Sequence, residues 1–410
     1  MRVALVHDYI KEYGGAERVL EALHGIWPDA PVFTTVYLPE FLGPHRERFK
    51  GWDIRTSWFQ YLPFKAKLIS PFRLIAPWVF RQFDLSNFDV VIVSATGAYS
   101  PNGIKVKSQK SKVKATAQNS RLSQRPTTKD QRPIHICYCH TPPRYLYGFA
   151  TARDWKGNIF LRVLGEVASH FLRLIDFKSA RNVDYFIANS KNVTKRIKKF
   201  YRRESVVIYP PVSVNSKFEI RNSKLKKNSF FLAGGRIARP KHIDLIVRAC
   251  RDLGVPLKVF GREFAGYENE LGIRNQESGK NKIRNSQFII HNSIQFLGEV
   301  SDEEKFELMR NAKAYIFAAE DEDFGITPVE AMACGTPVIA YRSGGVVESV
   351  VDGKTGIFFD ELTIDSLFKA IKQFNNTTIN PSDCIEHAKK FSKDRFKKEI
   401  KAFIDGISKR

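Results

Sequence analysis

Two carboxylates, Glu322 and Glu330, stand eight positions apart in the run Glu320-Asp-Glu-Asp-Phe-Gly-Ile-Thr-Pro-Val-Glu330-Ala-Met-Ala-Cys-Gly335. The residues before it, Ala314-Tyr-Ile-Phe-Ala-Ala, are apolar and β-rich and read as a short buried strand. Thr327-Pro328 then opens a helix, with Thr as cap and Pro in the first turn, where its missing N–H costs nothing. Glu322 is therefore expected in a loop at a strand's C-terminal end, and Glu330 in the first turns of the next helix. That edge is where open α/β sheets bind ligands. Loop N–H groups and a helix N-terminus favour an anion, while carboxylates accept hydrogen bonds from hydroxyls. A ligand that is both phosphate and polyol fits, and a nucleotide sugar is both.

Other loops carry complementary groups. Gly234-Gly235-Arg236-Ile-Ala-Arg-Pro-Lys241-His-Ile-Asp244 reads as a strand end, a turn and a helix beginning near Lys241. Arg236 and Lys241 can converge on one diphosphate, and in a water-excluded cleft paired cations stabilise a diphosphate as it departs. A solvated basic surface is the competing reading. Gly261, next after the strand-like Leu257–Phe260, joins the substrate-binding set. Gly14-Gly15 follows the first strand and opens the first helix, which lets a backbone approach a ligand at the positive end of a helix dipole. A tight turn explains that pair as well, and it explains Ser343-Gly344-Gly345 equally well. Cys139-His140-Thr-Pro-Pro-Arg-Tyr145 places a histidine before a proline-fixed loop, where it is expected to face a cleft between domains.

Several of these strings resemble one family. Glu-Asp-Phe-Gly-Ile-Thr-Pro-Val-Glu-Ala, from Glu322 to Ala331, is similar to the Glu-x7-Glu signature of retaining family 4 glycosyltransferases with the GT-B fold. His7-Asp-Tyr…Gly14-Gly15-Ala-Glu17-Arg-Val-Leu resembles the opening of mannosyltransferase-like members. Gly235-Arg236…Lys241…Asp244 and Cys139 to Tyr145 are similar to two further family segments, the second departing at Pro143, where the family often has Met. The resemblance implies that Arg236 and Lys241 hold the donor diphosphate, Glu330 the ribose hydroxyls and Glu322 the hexose hydroxyls. His140 would lie beside the sugar near its anomeric carbon, with Gly14, Gly15, Gly261, Phe324, Gly325, Ile326 and Thr327 lining the substrates. It implies attack on the face the diphosphate leaves, so no carboxylate nucleophile is assigned, although retaining glycosidases use one. Asp321-Glu-Asp323 has the Asp-x-Asp spacing of metal sites in the other glycosyltransferase fold. Arg236 and Lys241 already supply the charge a Mg²⁺ or Mn²⁺ would bring, so no metal and no cofactor is expected. The expected donor is GDP-mannose, because the most similar-looking relatives are mannosyltransferases; the residues themselves do not exclude UDP-hexoses.

The elements needed to position these groups are legible. Apolar strands at Arg2–Val6, Val32–Val36, Phe88–Val93, Ile134–Tyr138, Tyr185–Ala188 and Val206–Tyr209 alternate with helical stretches such as Ala16–Ile26, which indicates a parallel doubly wound sheet. Tyr209-Pro-Pro-Val212 interrupts the rhythm. A second series follows at Phe230–Ala233, Leu257–Phe260, Ile294–Phe296, Ala314–Ala318, Val338–Ala340 and Gly356–Phe359. Two Rossmann-like α/β domains facing a central cleft, residues 1–212 and 213–383, match the GT-B architecture. By resemblance, residues 384–410 form a helix packing back on the first domain. Polar, basic inserts near 103–133, 213–228 and 268–292 break the pattern, and the recurring strings at Ile220, Ile273 and Ile283 lack the spacing of a solenoid.

Composition bounds the rest. At 410 residues and 43% hydrophobic content the chain can bury two ordinary cores. No apolar run reaches the length of a membrane span, and Met1-Arg-Val-Ala-Leu-Val reads as a strand rather than a signal peptide. Five scattered cysteines suggest no disulfide framework, and Cys137-Tyr-Cys139 lacks a second ligand pair for zinc, so a cytoplasmic compartment is expected. The formal charge of +23 favours anionic partners. About a third of it lies between Gly103 and Pro133, where nine Lys/Arg face one acid, Asp130, in a stretch too polar to fold alone. The segment Trp58–Arg81 mixes aromatics, Leu/Ile and cations, which suits the headgroup region of an anionic membrane or, equally, aromatic core helices. The reading is a retaining, metal-independent glycosyltransferase, acting on a glycan or lipid-linked acceptor in cell-surface polysaccharide synthesis, on the cytoplasmic face of a membrane. A nucleotide-sugar epimerase of the same fold and a polyanion-binding protein are its rivals. No nucleic-acid module is recognisable, so no specific nucleic-acid partner is expected.

Overall fold

A computed structural model describes residues 1–106, 132–150, 159–213, 230–262, 290–291 and 293–408. The greater part of the three basic inserts lies outside the described residues. The chain divides into two compact units, one of Met1–Tyr147, Val163–Asn189 and Val193–Ile208, the other of Gly148–Arg162, Ser190–Asn192 and Tyr209–Arg410. Each is a doubly wound α/β unit.

The first unit is built on seven strands: β1 (Val3–His7), β2 (Val32–Thr34), β3 (Ile54–Thr56), β4 (Val90–Ala95), β5 (Ile134–Cys139), β6 (Tyr185–Ala188) and β7 (Ser205–Val207). They lie in the order β3-β2-β1-β4-β5-β6-β7, every pairing parallel. Helices α1 (Gly15–His24), α2 (Lys65–Leu68), α3 (Ala76–Phe80), α4 (Ile159–Ala180) and α5 (Lys191–Tyr201) connect them. β1 and β4 are buried along their whole length, as expected of parallel strands covered on both faces. The short edge strand β3, Ile-Arg-Thr and only half buried, has no apolar run to announce it. The order reverses between β1 and β4, which makes the C-terminal ends of these two strands the switch point where such sheets take ligands.

The aromatic stretch after β3 is neither wholly surface nor wholly core. Phe59, Phe72, Val79 and Phe80 are buried, and Phe59 stacks on Phe72 with ring centroids 3.6 Å apart. Trp58, Tyr61, Phe64, Leu68, Leu74, Ile75 and Trp78 are exposed. Phe59 thus belongs to the core, whereas its neighbour Trp58 does not.

The second unit repeats the plan with β8 (Phe231–Gly234), β9 (Leu257–Phe260), β10 (Ile290–His291), β11 (Ile294–Gly298), β12 (Tyr315–Phe317), β13 (Val338–Tyr341) and β14 (Gly356–Phe359). The order is β10-β11-β9-β8-β12-β13-β14, parallel except for the two-residue β10. Its helices are α6 (Ile243–Asp252), α7 (Asp302–Asn311), α8 (Ile326–Ala333), α9 (Val346–Ser349), α10 (Ile364–Asn375), α11 (Pro381–Lys389) and α12 (Lys393–Ser408). α7 starts on a reciprocal cap: Glu304 N donates to Ser301 Oγ at 3.1 Å, and Ser301 N donates to Glu304 Oε2 at 2.9 Å. Here the switch lies between β8 and β12. The Tyr209–Val212 segment is tied to the chain's end, since Val212 N donates to Phe391 O at 2.9 Å and Arg395 donates to Tyr209 O at 2.8 Å.

Two buried histidines give the first unit a distinct acid response. His135, on β5, is fully buried and burial lowers its pKa to about 4; burial lowers that of His140 to about 3. The unfolded chain takes up these protons near pH 6.5, the folded chain only below 4 and 3, so stability falls as pH drops through 6.5. Asp176 acts in the opposite sense, because burial raises its pKa to about 6, and its effect is confined to lower pH. Between pH 7 and 6 the histidines dominate. Below pH 6.5 each costs about 1.4 kcal/mol per pH unit. A His135→Leu variant should lose less stability over that interval than the parent, as read from urea unfolding midpoints at each pH.

Candidate active site

In the second unit the loops at the β8/β12 switch meet through their backbones. After β8, Gly235 N donates to Phe260 O at 3.1 Å, and Gly261 N donates to Gly298 O at 2.7 Å. Gly261 has a φ of +132°, and a Cβ there would fall 1.7 Å from Gly235 O. No other residue fits. The missing side chain at Gly261, a residue the sequence reading put in the substrate-binding set, admits another loop of the protein. Gly344, at φ +69°, likewise has no space for a side chain, since its Cβ would stand 2.2 Å from Glu322 O. Gly345 N donates to that oxygen at 2.7 Å, so the Ser343–Gly345 turn clamps the Glu322 loop from behind.

This stacking brings Glu322 and Lys241 together. Lys241 Nζ lies 2.5 Å from Glu322 Oε2 and 5.0 Å from the Phe317 ring centre, both ionic side chains about three-quarters buried. Lys241 closes a short turn, Arg239–Lys241, and α6 begins only at Ile243, after His242 in the left-handed region. Arg236 sits exposed on the same loop. Glu322 is in the β12–α8 loop as expected, but α8 starts two residues earlier than the Thr327 cap implies. Gly325, at φ +88°, is the residue before the first turn, and Thr327 lies within it. The left-handed turn needs no side-chain cap, which is why the Thr-Pro signal misplaces the boundary. Phe324 is 2% exposed, its ring 5.5 Å from that of Tyr209 and 5.4 Å from that of Phe391. Its side chain belongs to the core, while Ile326 and Thr327 remain part-exposed.

Glu330 is buried, 3% exposed, and does not stand alone. Lys305 Nζ from α7 lies 3.0 Å from Glu330 Oε1 and 3.0 Å from Asp302 Oδ1. Sequence reading missed Lys305, because in Asp-Glu-Glu-Lys it looks like one more solvated helix charge. Tyr315, fully buried in β12, donates its hydroxyl to Gly234 O at 2.6 Å and ties the two central strands together at the switch. Among the described residues no group of three or more His, Cys, Asp or Glu is placed to hold a metal ion.

In the first unit His140 follows β5, its N–H donating to Ala95 O at 2.9 Å. Its Nε2 lies 2.9 Å from Ser94 Oγ, which lies 3.2 Å from His7 Nδ1. His7 Nε2 faces Glu17 Oε1 at 3.5 Å, and Glu17 Oε2 accepts the Gly14 N–H at 2.8 Å. Gly14 and Gly15 open α1 as read, yet the Gly14 N–H is already taken by Glu17. Next to His7, Asp8 is fully buried; one oxygen accepts from Thr96 N at 3.0 Å and from the Thr96 hydroxyl, and Oδ1 has no partner among the described residues. Burial raises the pKa of this carboxyl. His7, Asp8, Ser94 and Glu17 carried no role in the sequence reading; the signal was polar residues closing otherwise apolar strands, Leu-Val-His-Asp and Ile-Val-Ser.

Removing one partner of a buried ion pair strands the other's charge, at about 3–5 kcal/mol. Lys305→Met should lower the second unit's stability by that order in urea unfolding. Adding Glu330→Gln to it should recover a large part, because no uncompensated carboxylate is then left inside.

Comparison with known proteins agrees with the fold. Residues 215–391 match the family model described as glycosyl transferases group 1. The alpha-1,3/1,6-mannosyltransferase ALG2 of Dictyostelium discoideum is 27% identical over 304 residues, which cover 67% of this chain and 69% of that one. Among solved structures, sucrose-phosphate synthase from Thermosynechococcus elongatus superposes with a TM-score of 0.64 at 14% identity, covering 99% of each chain. Anabaena HepE in complex with UDP and glucose does so at 0.60 and 16%, again covering 99% of each. The two structural likenesses speak for the fold, and the sequence matches for the enzyme class. The chain is a glycosyltransferase with the GT-B fold, similar over residues 215–391 to glycosyl transferases group 1 and, at 27% identity, to a mannosyltransferase.

Proposed function

We propose that this glycosyltransferase moves mannose from GDP-mannose, with retention of configuration and without a metal ion, to a glycan or lipid-linked acceptor in cell-surface polysaccharide synthesis. The observation that carries the reading is the Lys241–Glu322 pair at the β8/β12 switch, 2.5 Å apart on two glycine-clamped loops. An ammonium has three N–H donors, so Lys241 can hold Glu322 and a diphosphate oxygen together. Glu322 is then placed to accept hydrogen bonds from hexose hydroxyls, and Glu330, braced by Lys305, from the ribose. The bond between the anomeric carbon and the diphosphate oxygen breaks, its electron pair passing to the diphosphate, where Arg236 and Lys241 stabilise the charge. The acceptor oxygen bonds to that carbon on the same face, and its proton goes to the departing diphosphate. The mannosyltransferase relatives favour mannose; HepE, whose structure holds UDP and glucose, makes a UDP-hexose the rival donor.

The deciding experiment is transfer and thermal shift with GDP-mannose, UDP-glucose and ADP-glucose in excess EDTA. GDP-mannose should give the largest shift and turnover unaffected by the chelator. Full loss in EDTA with rescue by Mn²⁺ would give Asp321 and Asp323 a metal role. Glu330→Gln, chosen over Ala because it does not empty a buried site, should raise the donor KM roughly tenfold or more. Glu322→Ala should lower kcat more than KM, by roughly 10- to 100-fold, the worth of a charged hydrogen bond strengthened in the transition state. Parent rates in both variants would remove the reading.

A peripheral association with the cytoplasmic face of a membrane completes the proposal. Among the described residues no helix is long and apolar enough to cross a bilayer. Between Asp53 and Asp84 there is no acidic residue, while Arg55, Lys65, Lys67, Arg73 and Arg81 lie among the exposed Trp58, Tyr61, Phe64, Leu68, Leu74, Ile75 and Trp78. Aromatic rings at the headgroup level and cations, each worth about 1 kcal/mol near anionic lipid, fit this surface to an anionic bilayer. Flotation with phosphatidylserine vesicles should show salt-sensitive binding, weakened in a Trp58→Ala, Phe64→Ala, Trp78→Ala variant. Equal, negligible binding to neutral and anionic vesicles at low salt would leave a soluble acceptor as the better choice.

A further inference from the structure

In the first unit the connections from β3 to β4, from β5 to β6 and from β6 to β7 all run the same way across the sheet. Parallel crossovers are right-handed, so α2, α3, α4 and α5 lie on one face of it and α1 on the other. Close contacts tie this layer together. A Cβ on Gly103 would stand 3.0 Å from Pro77 O of α3 and 3.7 Å from Ser179 Oγ of α4. Tyr147 joins α4 to α5, its hydroxyl donating to Asp176 at 3.0 Å and its ring stacked on Phe200 with centroids 4.1 Å apart. The outward side of such a layer is ordinarily polar. On α4 it is apolar: Val163, Val167, Phe171 and Leu174 recur at the spacing of one helix face, and each is more than half exposed. The inward side, with Leu172, Asp176 and Ala180, is buried. Glu166 and Lys178, both exposed on α4, balance each other in charge. α5 beside it has no acidic residue, and Lys195, Lys199 and Arg202 are exposed along one side of it and its end. Lys198 is paired with Glu204 at 2.9 Å. Arg202 stands at φ +54°, a conformation that glycine takes at least cost, so a cation occupies a position the backbone does not favour for it.

We infer that the outward side of α3, α4 and α5 is one bilayer-facing surface. α4 lies in the headgroup plane with its four apolar side chains among the acyl chains, while Lys195, Lys199 and Arg202 meet anionic headgroups. The inference rests on the peripheral association proposed above and assigns its inserted element to a helix outside the Trp58–Arg81 segment. Three observations choose a bilayer over a second copy of the chain. The stripe from Val163 to Leu174 is about 17 Å long, and four part-exposed side chains offer only a few hundred Å², against roughly 800 Å² per partner in a stable interface. Pairing α4 with α4 across a two-fold axis would bring the cationic sides of two α5 helices toward each other, whereas anionic headgroups neutralise them. The surface is also continuous with exposed Leu74, Ile75 and Trp78, in and just before α3 on the same layer. No helix among the described residues is long and apolar enough to cross, so α4 lies in the interface.

The test is flotation of the whole chain with vesicles of phosphatidylserine and phosphatidylcholine at low and high salt. Val167→Ser with Phe171→Ser should lower binding roughly tenfold or more at both, because burial of apolar area is not screened. Lys195→Gln with Lys199→Gln and Arg202→Gln should lower it roughly 10- to 100-fold at low salt and reduce its salt dependence. All five positions are exposed, so both variants should melt like the parent. Should the serine variant fail to fold, Phe171→Trp carries the test. Its added fluorescence, taken as the difference from the parent, should be quenched by brominated phosphatidylcholine and shielded from aqueous iodide. Added fluorescence open to iodide, or parent-level binding by either variant, overturns this surface. If binding is then still lost in the Trp58→Ala, Phe64→Ala, Trp78→Ala variant, the peripheral reading survives without it. A parent that ignores anionic vesicles overturns both. A parent that is dimeric by sedimentation, and monomeric with Val167→Ser and Phe171→Ser while vesicle binding is unchanged, makes a second copy the occupant and overturns the inference.

Discussion

Close approach of backbone to backbone governs the second unit's site. Gly261 against Gly235, and Gly344 and Gly345 against Glu322 and Asp323, stack loops at separations that no Cβ permits. The N–H groups there are spent on neighbouring carbonyls: Gly235 on Phe260, Gly261 on Gly298, Gly345 on Glu322. Polar backbone at a sheet edge must be satisfied somewhere, and satisfying it internally makes the loops rigid. Only because the β12–α8 loop is clamped in this way does its carboxylate lie within 2.5 Å of a lysine on another loop. An alanine at Gly344 or Gly345 would move the loop and, with it, the pair.

Both units place costly groups at the C-terminal edge of their sheets. The second buries the Lys305–Glu330 pair, which apolar residues of the same volume could replace without loss of stability. The first buries His7, Asp8, His140 and Asp176, the last with Ser100 Oγ at 2.8 Å and the Tyr147 hydroxyl at 3.0 Å, yet still with its pKa raised to about 6 by burial. Folding alone does not call for such groups. Apart from His135 near the start of β5, these groups lie where doubly wound sheets bind ligands, which connects their energetic expense with chemistry.

The fold was legible because parallel strands covered on both faces must be apolar runs of four to six residues, and a sequence displays such runs openly. Val90–Ala95 and Ile134–Cys139 are of this kind, whereas the half-exposed Ile54–Thr56 and the two-residue Ile290–His291 are not, and these went unread. Of the site, the spacing of Glu322 and Glu330 and the cations of the β8–α6 loop could be read from the chain, since each lies in one local motif. The partners could not. Lys305 and Glu330 are 25 residues apart, Ser94 and His140 46, and the pairing of such groups follows from strand order rather than from any local pattern. The loops that press on the glycines were not legible either, because a sequence shows that a backbone comes close to something without showing what.

The arrangement also bears on donor choice. A diphosphate and a ribose are common to every nucleotide sugar, so groups that hold them, Lys241, Arg236 and Glu330 in the proposed reading, give affinity without selecting a donor. Selection of the hexose falls to groups that meet its hydroxyls, where mannose and glucose differ in the configuration at one carbon. A hydrogen bond made to one configuration and missed in the other is worth about 1–3 kcal/mol, or roughly 10- to 100-fold. In the same reading Glu322, held by Lys241, would accept from whichever hydroxyl is near and discriminate weakly. A second acceptor of fixed direction sharpens the choice, since a hydroxyl pointing the other way leaves a buried lone pair unmet.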